Sequence, residues 1–141
     1  MARQRFIHPG IWNSDQFCQL SDFARLVFIG IISTADDSGR RKASASSIKG
    51  EIFPQDSRRL PLVLKARDEI EAQGLIRVYT VDGEEFLDLP RWSKYQHPKY
   101  PSVSKIPAFR EGSPNLPPIL PESSPMGSGS STGIAPTIRP K

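Results

Sequence analysis

The sequence predicts an α+β fold in which a three-helix core meets a small antiparallel sheet. Three observations predict it. Between residues 61 and 73, Val63, Ala66 and Ile70 recur at helical spacing and give one apolar face. Asp82-Gly83 lies between two alternating runs, the signal of a two-residue hairpin turn. Residues 23–34 are apolar nearly all round, which calls for a helix buried on most sides. With a very short strand after residue 40, the order is helix, strand, helix, helix, strand, strand. That is the order of a winged helix-turn-helix domain.

In chain order, Asn13 or Ser14 is suited to cap a short helical turn through Leu20, with Phe17 and Leu20 inward and Trp12 as a lid on the core. Ser21-Asp22 opens the central helix with a capping hydroxyl and an acid in the first turn. Gly30 within it permits a close neighbour. Asp36-Asp37-Ser38-Gly39 ends it in a turn, and the two carboxylates are read as a capping turn rather than as a catalytic pair. The strand at Arg40-Arg41-Lys42 is expected to pair with the hairpin. Residues 44–52 read as a short helix capped by Ser44 or Ser46, with Ile48 and Ile52 on one face. Phe53 anchors the following turn. The third helix runs from Pro61, suited to a first turn, to Gln73, and Gly74 supplies its left-handed stop. Leu60 is a poor cap for it.

The hairpin register follows from a two-residue loop. It pairs Val81 with Glu84, Thr80 with Glu85, Tyr79 with Phe86, Val78 with Leu87, Arg77 with Asp88 and Ile76 with Leu89. One face then carries Ile76, Val78, Leu87 and Leu89, a core face. The other carries the pairs Tyr79–Phe86 and Arg77–Asp88, both favourable across strands. A slip of one residue breaks both patterns at once.

Most of the 14 prolines lie after Leu89, so the core must come from the first two thirds of the chain. The expected organisation is a domain over residues 1–107, including a basic C-terminal extension, and a disordered Pro/Gly/Ser-rich tail over 108–141. The net charge of +4 is spread unevenly: residues 1–42 hold six basic and four acidic side chains, 43–96 eight and nine, and 97–141 five and two. An anion site must therefore come from local clustering. Cys18 is the only cysteine, so no intrachain disulfide forms, which fits a reducing compartment. No secretory signal is visible, and the longest apolar run, Leu26 to Ile32, is too short to span a bilayer. The expectation is a cytoplasmic protein without a membrane partner.

No catalytic constellation is present. His8 and His97 lack paired Ser, Cys or Asp motifs, and there is neither a glycine-rich phosphate loop nor metal-ligand spacing, so no enzyme and no cofactor is expected. The chemistry that stands out is cationic. A helix-turn-helix reader inserts its third helix into the major groove with its N-terminal residues forward. That end carries Arg58, Arg59 and Lys65, while Asp68, Glu69 and Glu71 lie towards the far end. Lys49 and the run Arg40, Arg41, Lys42 are placed to flank the groove, arginine suiting bidentate guanine contact and lysine phosphate. In the extension, Trp92, Tyr95 and Tyr100 interleave with Lys94, His97, Lys99 and Lys105, a pattern that stacks bases or grips phosphates, or simply lays its aromatics on the domain. Asp82, Glu84 and Glu85 at the hairpin tip repel phosphate, so that tip is expected to be structural or to face a protein.

The stretches RQRFIHPGIWNSDQF, ARLVFIGIISTADDSGR, SSIKGEIFP, EIEAQGLIRVY and PRWSKYQHPKYPSVSKIP, taken in order over about residues 3 to 107, resemble a phage and prophage family. The chain is similar to the winged-helix N-terminal domain of phage replication-initiation, or replisome-organiser, proteins, related in kind to DnaD-like primosome proteins. The resemblance implies DNA binding in replication initiation in the bacterial host cytoplasm, with host replication proteins as further partners. The chain departs from that family after Pro107, where a short tail stands in place of a further C-terminal region. The expected function is non-catalytic binding of double-stranded DNA. The alternative is a protein-interaction adaptor or transcriptional regulator that uses the same domain as a docking platform. Assembly into a homo-oligomer is left open.

Overall fold

The structure, a computed structural model, describes residues 3–110. The chain divides into a unit spanning Met1–Phe109 and a remainder, Arg110–Lys141, of which only Arg110 is described. The expected disordered tail lies, from residue 111 onward, outside the described residues. The first unit is α+β. A 3-10 turn at Pro9–Asn13 is followed by α1 (Asp15–Cys18), α2 (Asp22–Thr34), β1 (Arg40–Lys42), α3 (Ala45–Ile52), α4 (Leu60–Ala72), β2 (Arg77–Val81), β3 (Glu84–Asp88) and α5 (Trp92–Tyr95). The strands form one antiparallel sheet in the order β1-β3-β2.

Serine starts three of the helices. The hydroxyls of Ser14, Ser21 and Ser44 accept from the backbone N–H of Phe17, Ala24 and Ser47, each satisfying one of the orphan donors of a first turn. α4 starts differently. Its N-cap is Arg59, which makes no side-chain capping bond, and Pro61 in the first turn removes one N–H that would have needed a partner. Gly74, at φ +76°, closes it.

The core gathers Phe17, Leu20, Val27, Phe28 and Ile31, Ile48 of α3, Val63, Ala66 and Ile70 of α4, Ile76 just before β2, and Leu87 of β3. Each such side chain contributes about 1.5–3 kcal/mol through burial. α2 is buried on one broad face rather than on most sides. Ala24, Val27, Phe28, Ile31 and Ile32 turn inward, but Leu26 is half exposed on the opposite face. Gly30 meets the expectation of a close neighbour: a β-carbon there would stand 2.7 Å from the Ile52 side chain.

The hairpin holds the five pairs from Arg77–Asp88 to Val81–Glu84, but the sixth expected pair, Ile76–Leu89, lies outside the ladder, where the Leu89 N–H donates to the Gly39 carbonyl at 3.0 Å instead. Asp82 and Gly83 both have positive φ, +52° and +81°, as this turn type demands. Arg77 donates to both Asp88 oxygens, at 2.9 and 2.6 Å, in a fork geometry. The inner face buries Ile76 and Leu87, with Val78 and Leu89 partly covered. The outer face is buried as well. Tyr79 and Phe86 are buried outside the main core, and Tyr79 is roofed by the extension. The Tyr79 hydroxyl donates to the Pro107 carbonyl at 2.6 Å, and Phe109 packs edge-on against the Tyr79 ring. Burial pushes the Tyr79 phenol up to about 12, with Asp88 adding to the rise.

The Asp36-Asp37 turn does more than cap. Asp36 Oδ1 accepts from the N–H groups of Ser38 and Arg40, and its Oδ2 from the Ser104 hydroxyl. Asp37 accepts from Arg5 at 3.0 Å and from the Ser102 N–H at 2.9 Å, and Arg3 approaches to 3.2 Å. The Ser102 N–H, with Arg5 and Arg3, holds the Asp37 carboxyl below its ordinary value. Trp92 donates its indole N–H to the Asp37 carbonyl, and Gln96 exchanges two hydrogen bonds with the Phe6 backbone. The turn thus clasps the N-terminal arm and the C-terminal extension to the domain.

Candidate nucleic-acid interface

α4 packs on α2 and α3 through Val63, Ala66 and Ile70, which turns Pro61, Lys65, Asp68 and Ala72 away from the core. Lys65 and Arg59, at the start of this helix, are exposed, and their side chains make no hydrogen bond or ion pair within the described residues. Lys49, in the last turn of α3, is half-buried and likewise unpaired. Arg58 is engaged. Its Nε lies 3.0 Å from Asp56 Oδ2, and its guanidinium stacks on Phe23 and Phe53, 4.5 and 5.2 Å from the ring centroids. That stacking ties Arg58 to the hinge between α3 and α4.

The cations of β1 go three different ways. Arg41 points inward and is 4% exposed. It donates to the Lys42 carbonyl at 2.8 Å, bonds the Thr34 hydroxyl, and meets Glu51 at 2.8 Å. Burial lowers its pKa, with Glu51 opposing the shift. It is therefore not presented to a phosphate. Strand alternation causes this: three consecutive residues cannot all face one way, and the middle one is committed to the core side. Arg40 donates to the Ile106 carbonyl at 3.0 Å and helps fasten the extension. Lys42 is exposed and lies 3.3 Å from Glu84 across the sheet end. An open groove of about 510 Å³ beside these residues is lined by Arg40, Arg41, Lys42, Ser46, Ser47 and Glu51, among others. Lys94 is exposed on α5, its ammonium 5.3 Å from the ring centroid of Tyr95.

The structure thus brings Lys49, Arg59 and Lys65 to the α3–α4 surface without partners and spends Arg40, Arg41 and Arg58 on the domain itself. The acids are also spent. Asp68 accepts from Arg67, and Glu69 accepts from the Ser21 N–H and hydroxyl at the start of α2. Glu71 accepts from the Val78 N–H, although burial raises its pKa. At the hairpin tip Glu84 faces Lys42 and Glu85 accepts from Arg67 at 3.0 Å. The repulsion expected from the tip is reduced accordingly.

Arg67 escaped sequence reasoning. It sits on the inner face of α4, donating to the Ala43 carbonyl at 2.9 Å as well as to Glu85, and so pins α4 to the end of β1 and to the central strand β3. Its position at i+4 from Val63 was the available signal. Leu60, Leu62 and Leu64 escaped it too. They are 43%, 50% and 38% exposed on the first half of α4. Among the described residues, no group of three or more His, Cys, Asp or Glu is arranged to hold a metal ion, and no helix is long and apolar enough to cross a membrane. No family model, curated protein or solved structure matches the chain.

Proposed function

We propose that this unit is a winged helix-turn-helix domain that binds duplex DNA without catalysis, with the first half of α4 entering the major groove. The setting that the sequence resemblance implies is replication initiation of a phage or prophage in the bacterial cytoplasm. The helix, strand, helix, helix, hairpin order with β3 central supports this reading. The observation that carries it is electrostatic. The side chains of Arg59 and Lys65 stand exposed and unpaired at the leading half of the helix before the hairpin, and each acid of that helix, Asp68, Glu69 and Glu71, already accepts from another donor. Lys49 adds a cation from the preceding helix.

The test is fluorescence anisotropy with labelled duplex over a range of salt. Each phosphate contact contributes about 0.9 to the slope of log affinity on log salt. Arg59→Ala/Lys65→Ala should therefore flatten the wild-type slope by about 2, while Arg58→Ala should leave it nearly unchanged. Absence of duplex binding at low salt sinks the reading. A second reading, a protein-docking platform, draws on the exposed leucines of α4. It predicts that Leu62→Glu/Leu64→Glu abolishes capture of host replication proteins and leaves the salt series untouched.

A further inference from the structure

We propose that the loop over residues 97–105 is a separate contact for single-stranded nucleic acid, with Tyr100 as the platform for an unpaired base and Lys99 and Lys105 beside the adjoining phosphates. Tyr100 is 89% exposed and Val103 91%. Water disfavours a large apolar ring left in this way, so a ring held outward calls for an explanation. Tyr100 also has φ +52°, the left-handed region that L side chains enter only at a cost. Such strain persists only where the surroundings impose it.

The surroundings do impose it. Arg3 Nη1 donates to the Lys99 carbonyl at 2.5 Å, and Nη2 donates to the Tyr100 carbonyl at 2.9 Å. Two residues on, the Ser102 N–H donates to Asp37 at 2.9 Å, and Asp37 is itself fixed by Arg5. Pro98 and Pro101 restrict the backbone on either side of the tyrosine. The loop is thereby held in a shape that turns the ring outward. An aromatic ring presented on a preorganised backbone binds with little ordering cost.

The chemistry around the ring selects the partner. His97, Lys99 and Lys105 are exposed, and residues 97–110 contain no carboxylate. The nearest acids, Asp36 and Asp37, are consumed in holding the loop. A groove of about 270 Å³ beside the loop is lined by Arg3, Gln4, Arg5, His97 and Lys99, with no acid among its walls. A neutral protein surface has no use for such a one-signed setting. A single strand offers a bare base face for the ring and phosphates for the lysines, and such stacking tolerates any sequence. Duplex DNA hides its base faces, so the unpaired strand is the ligand.

The contact does not rest on α4, and the experiment keeps the two apart. Anisotropy of a labelled oligothymidylate is measured with the full chain as wild type, Tyr100→Ala and Tyr100→Phe, each also against duplex. Loss of one stacked base should weaken Tyr100→Ala by about 5- to 150-fold on the single strand. Tyr100→Phe should stay close to wild type, because stacking needs the ring and not the hydroxyl. Duplex affinity should not change in either variant, and Arg59→Ala/Lys65→Ala should still bind oligothymidylate. The exposure of Tyr100 makes a folding defect in these variants unexpected, and a thermal melt verifies this. Failure of wild type to bind oligothymidylate at low salt overturns the proposal, and Tyr100 would then be tested as an anchor for a protein. Equal binding by Tyr100→Ala and wild type overturns it as well, as does an equal loss on single strand and duplex.

Discussion

Arg41 is the residue at which reading the sequence and reading the structure diverge most, and Arg41→Ala puts a number on the difference. In the sequence it is one of three cations in a row, suited to phosphate. In the fold it is a tie between β1, α2 and α3. Its guanidinium serves the Lys42 carbonyl, the Thr34 hydroxyl and the Glu51 carboxylate. Truncation leaves these partners in unequal positions. Glu51 is 59% exposed and rehydrates, so its share is at most about 1 kcal/mol. Thr34 keeps its bond to the Gly30 carbonyl. The Lys42 carbonyl loses a charged donor, which costs about 1–3 kcal/mol, and the vacated stem of the side chain adds about 1 kcal/mol of lost packing. The sum is roughly 2–5 kcal/mol, or about 8–25 °C in melting temperature for a domain of this size. Arg41→Lys should recover little of it, because an ammonium cannot reproduce the fork. Thermal melting followed by circular dichroism gives the stability, and the duplex salt series on the folded variant gives the phosphate count. A variant that melts with wild type but loses about one unit of salt slope would refute the reasoning, since the guanidinium would then have been free for DNA.

Two further predictions concern the frame around the site. Gly39 and Gly83 both have left-handed backbone, at φ +77° and +81°, but a β-carbon at Gly39 would sit 2.6 Å from the Trp92 ring, whereas nothing lies within 4 Å at Gly83. Gly83→Ala should cost only the backbone term of about 1–2 kcal/mol, and Gly39→Ala about 1–3 kcal/mol more through the clash, with urea denaturation as the measurement and equal losses counting against the packing. Tyr79 has a phenol raised from 10.0 to about 12, so the stability it contributes is complete below pH 10 and is lost as pH rises through about 12. An alkaline ultraviolet titration should show this late ionisation in wild type and not in Tyr79→Phe, and its persistence in Tyr79→Phe would assign it elsewhere.

The elements legible in the sequence were those fixed by short-range chemistry. The hairpin register needs only a two-residue turn and alternation, and all five pairs of its ladder follow. Serine caps at residues 14, 21 and 44 need only a hydroxyl three residues before a free N–H. The start of α4 was displaced by one residue, because no capping side chain marks it. What was not legible depends on residues distant in the chain. The roof over Tyr79 is built by residues 107 and 109, and nothing near the hairpin announces it. The clasp at Asp36 and Asp37 joins residues 3 and 5 to 102 and 104. The candidate site shows the same limit. Cations are visible in a sequence, but whether a carboxylate or a carbonyl claims each one is decided by the fold.

The leucines of α4 bear on the DNA reading in a way their exposure alone does not suggest. On a helix, Leu60 and Leu64 share one stripe, and Pro61 and Lys65 share the next. A helix laid in a major groove needs both kinds of surface: cations reach phosphate and guanine, while apolar side chains meet the thymine methyl group. A stripe of two leucines beside Arg59 and Lys65 therefore suits a groove richer in A·T pairs than in G·C pairs. The same stripe suits a protein only if the neighbouring cations are left at the rim or meet acids. Glu69 and Glu71 accept from Ser21 and Val78, and Asp68, on the outward face with Lys65, is paired with Arg67, so the side chains of Arg59 and Lys65 next to the leucines have no acid partner on the helix. An apolar stripe bordered by uncompensated cations fits a polyanion with methyl groups in its groove better than it fits a neutral protein surface.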